Sequence, residues 1–197
     1  MLSLLPALTL FAVVMAITPG PNNVMLMTSG VNFGFARTLP HMWGVALGFS
    51  FMAAMVGLGL AGLFTTFPIL FVVLKWVGAA YLVYLAIKIA RSDKVIEDQE
   101  AARPLTFLQA AGFQWLNPKA WIIVISACAT YAVAGQYVAS ILLVALVLGV
   151  TTVPCVAIWI LFGAGLRQVL RSPRALRTFN YTMAALLIAS LYPVFRE

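Results

Sequence analysis

The sequence predicts an all-α integral membrane protein, with six transmembrane helices arranged as two inverted three-helix repeats. Three observations predict it. Of 197 residues, 63% are hydrophobic and 9% charged, against about 45–50% and about 25% in soluble domains. The apolar residues gather in six long runs without period-two alternation. A hydrophilic stretch from Arg91 to Arg103 then divides the chain into halves of three runs each.

The runs extend over Leu4 to Thr28, Leu39 to Phe64, Pro68 to Ala90, Leu105 to Ala132, Tyr137 to Gly163 and Phe179 to Phe195. All but the last exceed the about 20 residues that cross a hydrocarbon core about 30 Å thick, and the last comes close. Long unbroken apolar runs read as helices and not as barrel strands, because in lipid every backbone group must be satisfied within its own element. A single transmembrane domain is expected over 1–197, with repeat one over about 1–90, a cytoplasmic loop over about 91–104 and repeat two over about 105–197. The first run has no cationic start and continues past the usual cleavage zone to Met27, so it is expected to be a retained span.

Charge placement sets the expected orientation. All five acidic residues, Asp93, Glu97, Asp98, Glu100 and Glu197, lie in the central loop or at the C-terminus, which leaves the spans without a carboxylate. Arg37 sits in the first connection, Lys88, Arg91, Lys94 and Arg103 flank the third, and Arg167, Arg171, Arg174 and Arg177 line the fifth. The connections near Thr65 and Gly135 carry no cation. Lys and Arg collect on the cytoplasmic side, so the odd-numbered connections are expected in the cytoplasm and both termini outside, with Arg196 and Glu197 as a counter-signal. The net charge of +7 is thereby read as topology signal and anionic-lipid contact, not as a nucleic-acid surface.

An odd number of spans per half makes the halves insert upside down to one another, the plan of many transporters. A shift of 97 residues sets Leu8, Thr9, Pro21 and Ser29 on Leu105, Thr106, Pro118 and Ser126, and Gly57 on Pro154. The same shift lays one proline-broken run on another. Such paired interruptions point to a transporter's binding site.

The first interruption is Thr18-Pro19-Gly20-Pro21-Asn22-Asn23. Pro19 and Pro21 lack the amide hydrogens that would meet the carbonyls of Met15 and Ile17, and Gly20 lets the chain bend between them. Freed acceptors in lipid cost several kcal/mol each, so they should face protein, water or a ligand. Pro21 suits the first position of a new helix, whose opening amides attract an anion. Carbonyl acceptors beside amide donors suit an ammonium beside a carboxylate, and Asn22 and Asn23 add donors and acceptors of their own. The combination fits an amino-acid zwitterion.

The second interruption is Gln114-Trp115-Leu116-Asn117-Pro118-Lys119. Pro118 frees the carbonyl of Gln114 and turns Asn117 away from helical geometry. Lys119 then lies about a dozen residues into the fourth span, where a cation costs about 2.5–3.5 kcal/mol or more. Its expected counter-charge is a substrate, freed carbonyls or water; a Lys snorkelling to the interface is the alternative.

Other residues carry weaker signals. His41, the single histidine, is a candidate proton carrier, or else an ordinary interfacial residue. Tyr81, deep in the third span, needs a partner for its hydroxyl and is a candidate pathway residue; Trp76 and Lys88 suit an interfacial belt. Gly44 and Gly48 let helices approach closely, within the chain or in a homodimer. Thr151, Thr152 and Pro154 form a proline hinge. Cys128 and Cys155 read as packing residues. No cofactor or metal is expected, because the spans lack both a ligand cluster and an orienting acid for a catalytic triad. That leaves an intramembrane enzyme without its residues, whereas a passive amino-acid or small-solute channel stays open as an alternative to a carrier.

The segments TPGPNN (Thr18 to Asn23), RTLPHMWGVALGF (Arg37 to Phe49), WVGAAYLVYLAIKI (Trp76 to Ile89) and QWLNPKAW (Gln114 to Trp121) resemble the lysine exporter (LysE/RhtB) superfamily of bacterial amino-acid exporters. The resemblance implies a six-helix inner-membrane exporter of amino acids or derivatives, driven by the proton gradient. By motif position it assigns substrate-binding segments to Pro19, Gly20, Pro21, Asn22 and Asn23, and to Asn117, Pro118 and Lys119. Some exporters of basic amino acids in the superfamily carry an intramembrane acid, which this chain lacks. Similarity is therefore greater to members handling small neutral amino acids of the cysteine/O-acetylserine or threonine/homoserine type.

Overall fold

The computed structural model describes residues 2–60, 62, 66–91, 103–170 and 172–192. Among them the chain forms seven α-helices and no strand: α1 (Leu5–Ile17), α2 (Pro21–Met55), α3 (Pro68–Ala90), α4 (Phe107–Leu116), α5 (Pro118–Tyr131), α6 (Tyr137–Val169) and α7 (Pro173–Ala189). Proline stands in the first two positions of α1, α2, α3, α5 and α7, where its missing amide hydrogen would have had no intrahelical partner. Helix α4 starts differently. Thr106 accepts from the Gln109 amide and Gln109 accepts from the Thr106 amide, a reciprocal capping box.

Helix α2 runs through the connection expected between the first two spans, but it is not straight. Gly34, at φ 77° and ψ 174°, adopts a left-handed, extended combination open in practice to glycine alone. The side chains of Ser29 and His41 meet at 3.2 Å, whereas twelve residues of straight helix would separate them by about 18 Å. The chain therefore folds back at Gly34 into two arms, 21–33 and 35–55. Thr38 Oγ1 donates to the Gly34 carbonyl at 2.8 Å, and Arg37 lies exposed just beyond the corner, over the Phe33 ring.

Helix α2 packs along α6 and α4, α1 also lies against α6, and α3 lies against α7. The two α2 seams close to main-chain contact because glycine leaves room. A Cβ on Gly30 would stand 2.3 Å from the Ile160 carbonyl oxygen, and one on Gly163 2.2 Å from that of Met27. The Gly44 and Gly48 pair is used in the same way against Phe107 and Ala111 of α4. A homodimer would have to use another face.

Three helical stretches are long and apolar enough to cross a membrane: Pro21–Gly59, Val72–Ala90 and Tyr137–Arg167. The first of these is bent back at Gly34, so it is not one straight crossing. Leu10, Ile69, Leu108, Leu146 and Val150 stand mostly exposed, and apolar exposure on this scale marks a surface that faces something other than water. The run expected from Phe179 is helical from Pro173 onward, as α7. The hydrophilic stretch between the halves, apart from its ends, and the connection near Thr65 lie outside the described residues, as do Arg171, Arg196 and Glu197.

Candidate functional site

The two interruptions lie against one another. Helix α1 ends at Ile17, Thr18 is extended at φ −65° and ψ 143°, and Gly20 is fully extended before Pro21 opens α2. The carbonyls that Pro19 and Pro21 leave without amides are met by other donors. Thr18 Oγ1 donates to the Met15 carbonyl at 3.0 Å, and the Trp159 indole on α6 donates to that of Ile17 at 3.1 Å. These two acceptors were expected to take a substrate's ammonium. Protein donors already hold them, and the acceptors that face the second interruption are one step further on, at Thr18 and Pro19.

Lys119 fills that place. Its Nζ donates to the Thr18 carbonyl at 2.6 Å, to Thr18 Oγ1 at 2.9 Å and to the Pro19 carbonyl at 3.2 Å. Its main chain is fixed by Asn117, which caps α5 by accepting from the Lys119 amide at 3.1 Å. The side chain lies over Gly20, where a Cβ would come within 2.7 Å of Lys119 Cδ. Gly20 thus serves close approach, since its own extended backbone suits any residue.

Asn23 braces the first interruption and Asn22 joins it to the second. Asn23 Nδ2 donates to the carbonyls of Ala16 and Thr18 at 2.9 and 2.8 Å, which pins the end of α1 to the start of α2. Asn22 and Gln114 exchange side-chain hydrogen bonds across the molecule. The opening amides of α2 at Asn22 and Asn23 have no partner within the helix, and Gly20 offers no side chain to cap them.

A cleft with about 390 Å³ of empty volume, part of it open to the surroundings, lies at this junction. Gly20, Asn22, Asn23, Asn117 and Lys119 form its polar end. Val45 and Phe49 from the second arm of α2, Ile123 from α5 and Val156 from α6 form apolar walls. A largely apolar pocket with a few convergent polar groups is the usual form of a small-molecule site. The cleft offers one ammonium, the side-chain amides of Asn22 and Asn117 and a helix N-terminus to an anion, the two amide hydrogens of Asn23 being spent on Ala16 and Thr18, and oxygen acceptors to a cation.

The expected site residues Thr18, Pro19, Gly20, Pro21, Asn22, Asn23, Asn117, Pro118 and Lys119 all lie at this junction. Tyr81 does not line the cleft. Its ring packs 5.8 Å from Phe113 and 6.0 Å from Tyr84. His41 is also elsewhere, buried at 1% exposure, with Nδ1 against Ser29 and with Nε2 lacking a partner among the described residues. Trp159 was not singled out from sequence, and Gln114 was named for its main-chain carbonyl and not for its side chain. An indole N–H deep in an apolar span needs an acceptor, and the freed Ile17 carbonyl was an acceptor in need of a donor; matching the two would have found Trp159.

The LysE type translocator family matches residues 13–190. The chain is 29% identical to the cysteine/O-acetylserine efflux protein of Escherichia coli O139:H28 (strain E24377A / ETEC), over 98% of both chains. It is 33% identical over 129 residues to the proteins of that name from Escherichia coli (strain K12), covering 66% of both chains, and Salmonella choleraesuis (strain SC-B67), covering 65% of both. No solved structure matches the chain.

Proposed function

The chain belongs to the LysE type translocator family, and from that premise we propose that it exports small neutral amino acids or derivatives, of the cysteine and O-acetylserine type, across a bacterial inner membrane. It is a transporter and not an enzyme. The observation that carries the reading is the junction of the two helix interruptions, where Lys119 of one meets Thr18 and Pro19 of the other beside Asn22 and Gln114. A carboxylate would sit between Lys119 and the opening amides of α2, and an ammonium against the oxygens at Thr18 and Pro19. Apolar Val45, Phe49 and Val156 would face a short side chain. The described residues contain no carboxylate to pair a second positive charge, which favours neutral substrates over dibasic ones.

The architecture we assign is six spans in two inverted repeats: α1 with the first arm of α2, the second arm, α3, α4 with α5, α6, and α7. Its support is positional. Pro21 and Pro118 lie 97 residues apart, and each opens the second segment of an interrupted helix. Both termini are assigned to the outside and the basic connections to the cytoplasm. Transport proceeds by alternating exposure of the cleft, coupled to protons, with His41 as the candidate carrier.

Purified protein in liposomes, loaded with a panel of labelled amino acids and assayed with and without a pH gradient, tests this. Saturable, counter-stimulated efflux of cysteine and O-acetylserine is expected. Stepwise conductance would identify a channel instead, and no amino-acid flux would overturn the proposal.

A further inference from the structure

An ammonium group carries three hydrogens and accepts nothing. The interruption at Thr18 and Pro19 supplies three oxygens around Lys119 Nζ: the Thr18 carbonyl at 2.6 Å, the Thr18 hydroxyl at 2.9 Å and the Pro19 carbonyl at 3.2 Å. That satisfies the group completely, and a free α-ammonium has the same inventory. Two of the three oxygens are also held by groups other than the occupant: Asn23 Nδ2 donates to the Thr18 carbonyl at 2.8 Å, and Thr18 Oγ1 is anchored by donating to the Met15 carbonyl at 3.0 Å. The occupant reaches this cradle on a tether, from the first turn of α5 and across Gly20.

We propose that Lys119 is a tethered stand-in for the substrate's ammonium: in the empty protein it fills the cradle and latches the two interruptions together, and only a ligand with both carboxylate and ammonium exchanges for it. The inference rests on the amino-acid reading of the cleft and adds its selection rule. A lone amine entering the cradle would leave two cations side by side, with no carboxylate among the described residues to compensate. A zwitterion brings its own. Its carboxylate draws Lys119 aside toward the opening amides of α2, and its ammonium takes the vacated oxygens, so the net charge of the site is unchanged by binding. The latch is thus released by neutral zwitterions and held against simple amines.

The first test needs no transport. Wild type and Lys119→Ala are purified in detergent and melted in n-propylammonium chloride and in potassium chloride of equal ionic strength. The variant has an empty cradle, so propylammonium should raise its melting temperature by about 2–4 °C when about fivefold above its dissociation constant. Wild type should not respond. No shift in the variant, or equal shifts in both proteins, overturns the latch. The second test uses wild type alone and covers a variant that does not fold. In liposomes transporting labelled cysteine, cysteinamide, which keeps the amine and lacks the carboxylate, should inhibit at least about tenfold more weakly than unlabelled cysteine. Equal inhibition overturns the latch. Absence of cysteine flux counts against the exporter reading, and the melting comparison then still decides the latch.

Discussion

Asn22 and Gln114 read each other with both halves of their amides: Asn22 Nδ2 donates to Gln114 Oε1 at 2.8 Å, and Gln114 Nε2 donates to Asn22 Oδ1 at 3.2 Å. Gln114 is fully buried and donates also to the Ala110 carbonyl at 2.8 Å. Removing Asn22 therefore strands a buried Oε1. Asn22→Ala should destabilise the protein by about 1–3 kcal/mol, and a double-mutant cycle with Gln114→Ala should show coupling of about 0.5–3 kcal/mol in denaturant or thermal unfolding. Simple additivity would mean that the two amides do not act as a pair.

Lys119→Met keeps the length of the side chain and removes its charge and donors. Efflux in liposomes should fall below detection while the protein still reaches the membrane and runs as a single species in detergent. Lys119→Arg should not restore it, because a planar fork does not present three hydrogens to one three-oxygen cradle. Normal efflux by the Met variant would remove Lys119 from the site.

The glycine seams allow a paired comparison. Gly30→Ala would push a Cβ to 2.3 Å from the Ile160 carbonyl oxygen, forcing α2 and α6 apart at a typical cost of about 1–3 kcal/mol or more. At Gly112 of α4 a Cβ meets nothing within 4 Å, so Gly112→Ala should be neutral or stabilising by up to about 1 kcal/mol, from helix propensity alone. Melting temperatures of the two variants should move in opposite directions, or only the first should move.

His41→Gln keeps a group able to hydrogen-bond Ser29 but unable to carry a proton at neutral pH. If His41 couples transport to protons, the variant should retain exchange of internal for external substrate and lose the stimulation given by a pH gradient. Loss of both activities, or of neither, would separate His41 from coupling.

Both interruptions could be read in advance because a proline's missing amide is covalent and survives any packing. Pro21 and Pro118 open helices where the sequence put them. The partners of the freed carbonyls could not be read in this way. Whether the Ile17 carbonyl meets a ligand or Trp159 depends on how α6 crosses α1, a relation between segments 142 residues apart. The corner at Gly34 was visible only as a connection somewhere between Thr28 and Leu39, since helix persists on either side and a single glycine does the turning. Tyr81 looked like a pathway residue from its depth alone, but depth does not say which side of a helix faces a cleft and which faces Phe113.

The seam between Gly30 and Gly163 also limits what genetics can repair. A Cβ at either position collides with a main-chain carbonyl, of Ile160 or of Met27, and no neighbouring side chain can be trimmed to make room. Gly57 is different. The atoms closest to its would-be Cβ belong to the side chains of Ile141, at 2.6 Å, and Cys128, at 3.0 Å. A selection for second-site suppressors should therefore rescue Gly57→Ala through smaller residues at Ile141, and should return only true revertants at Gly30.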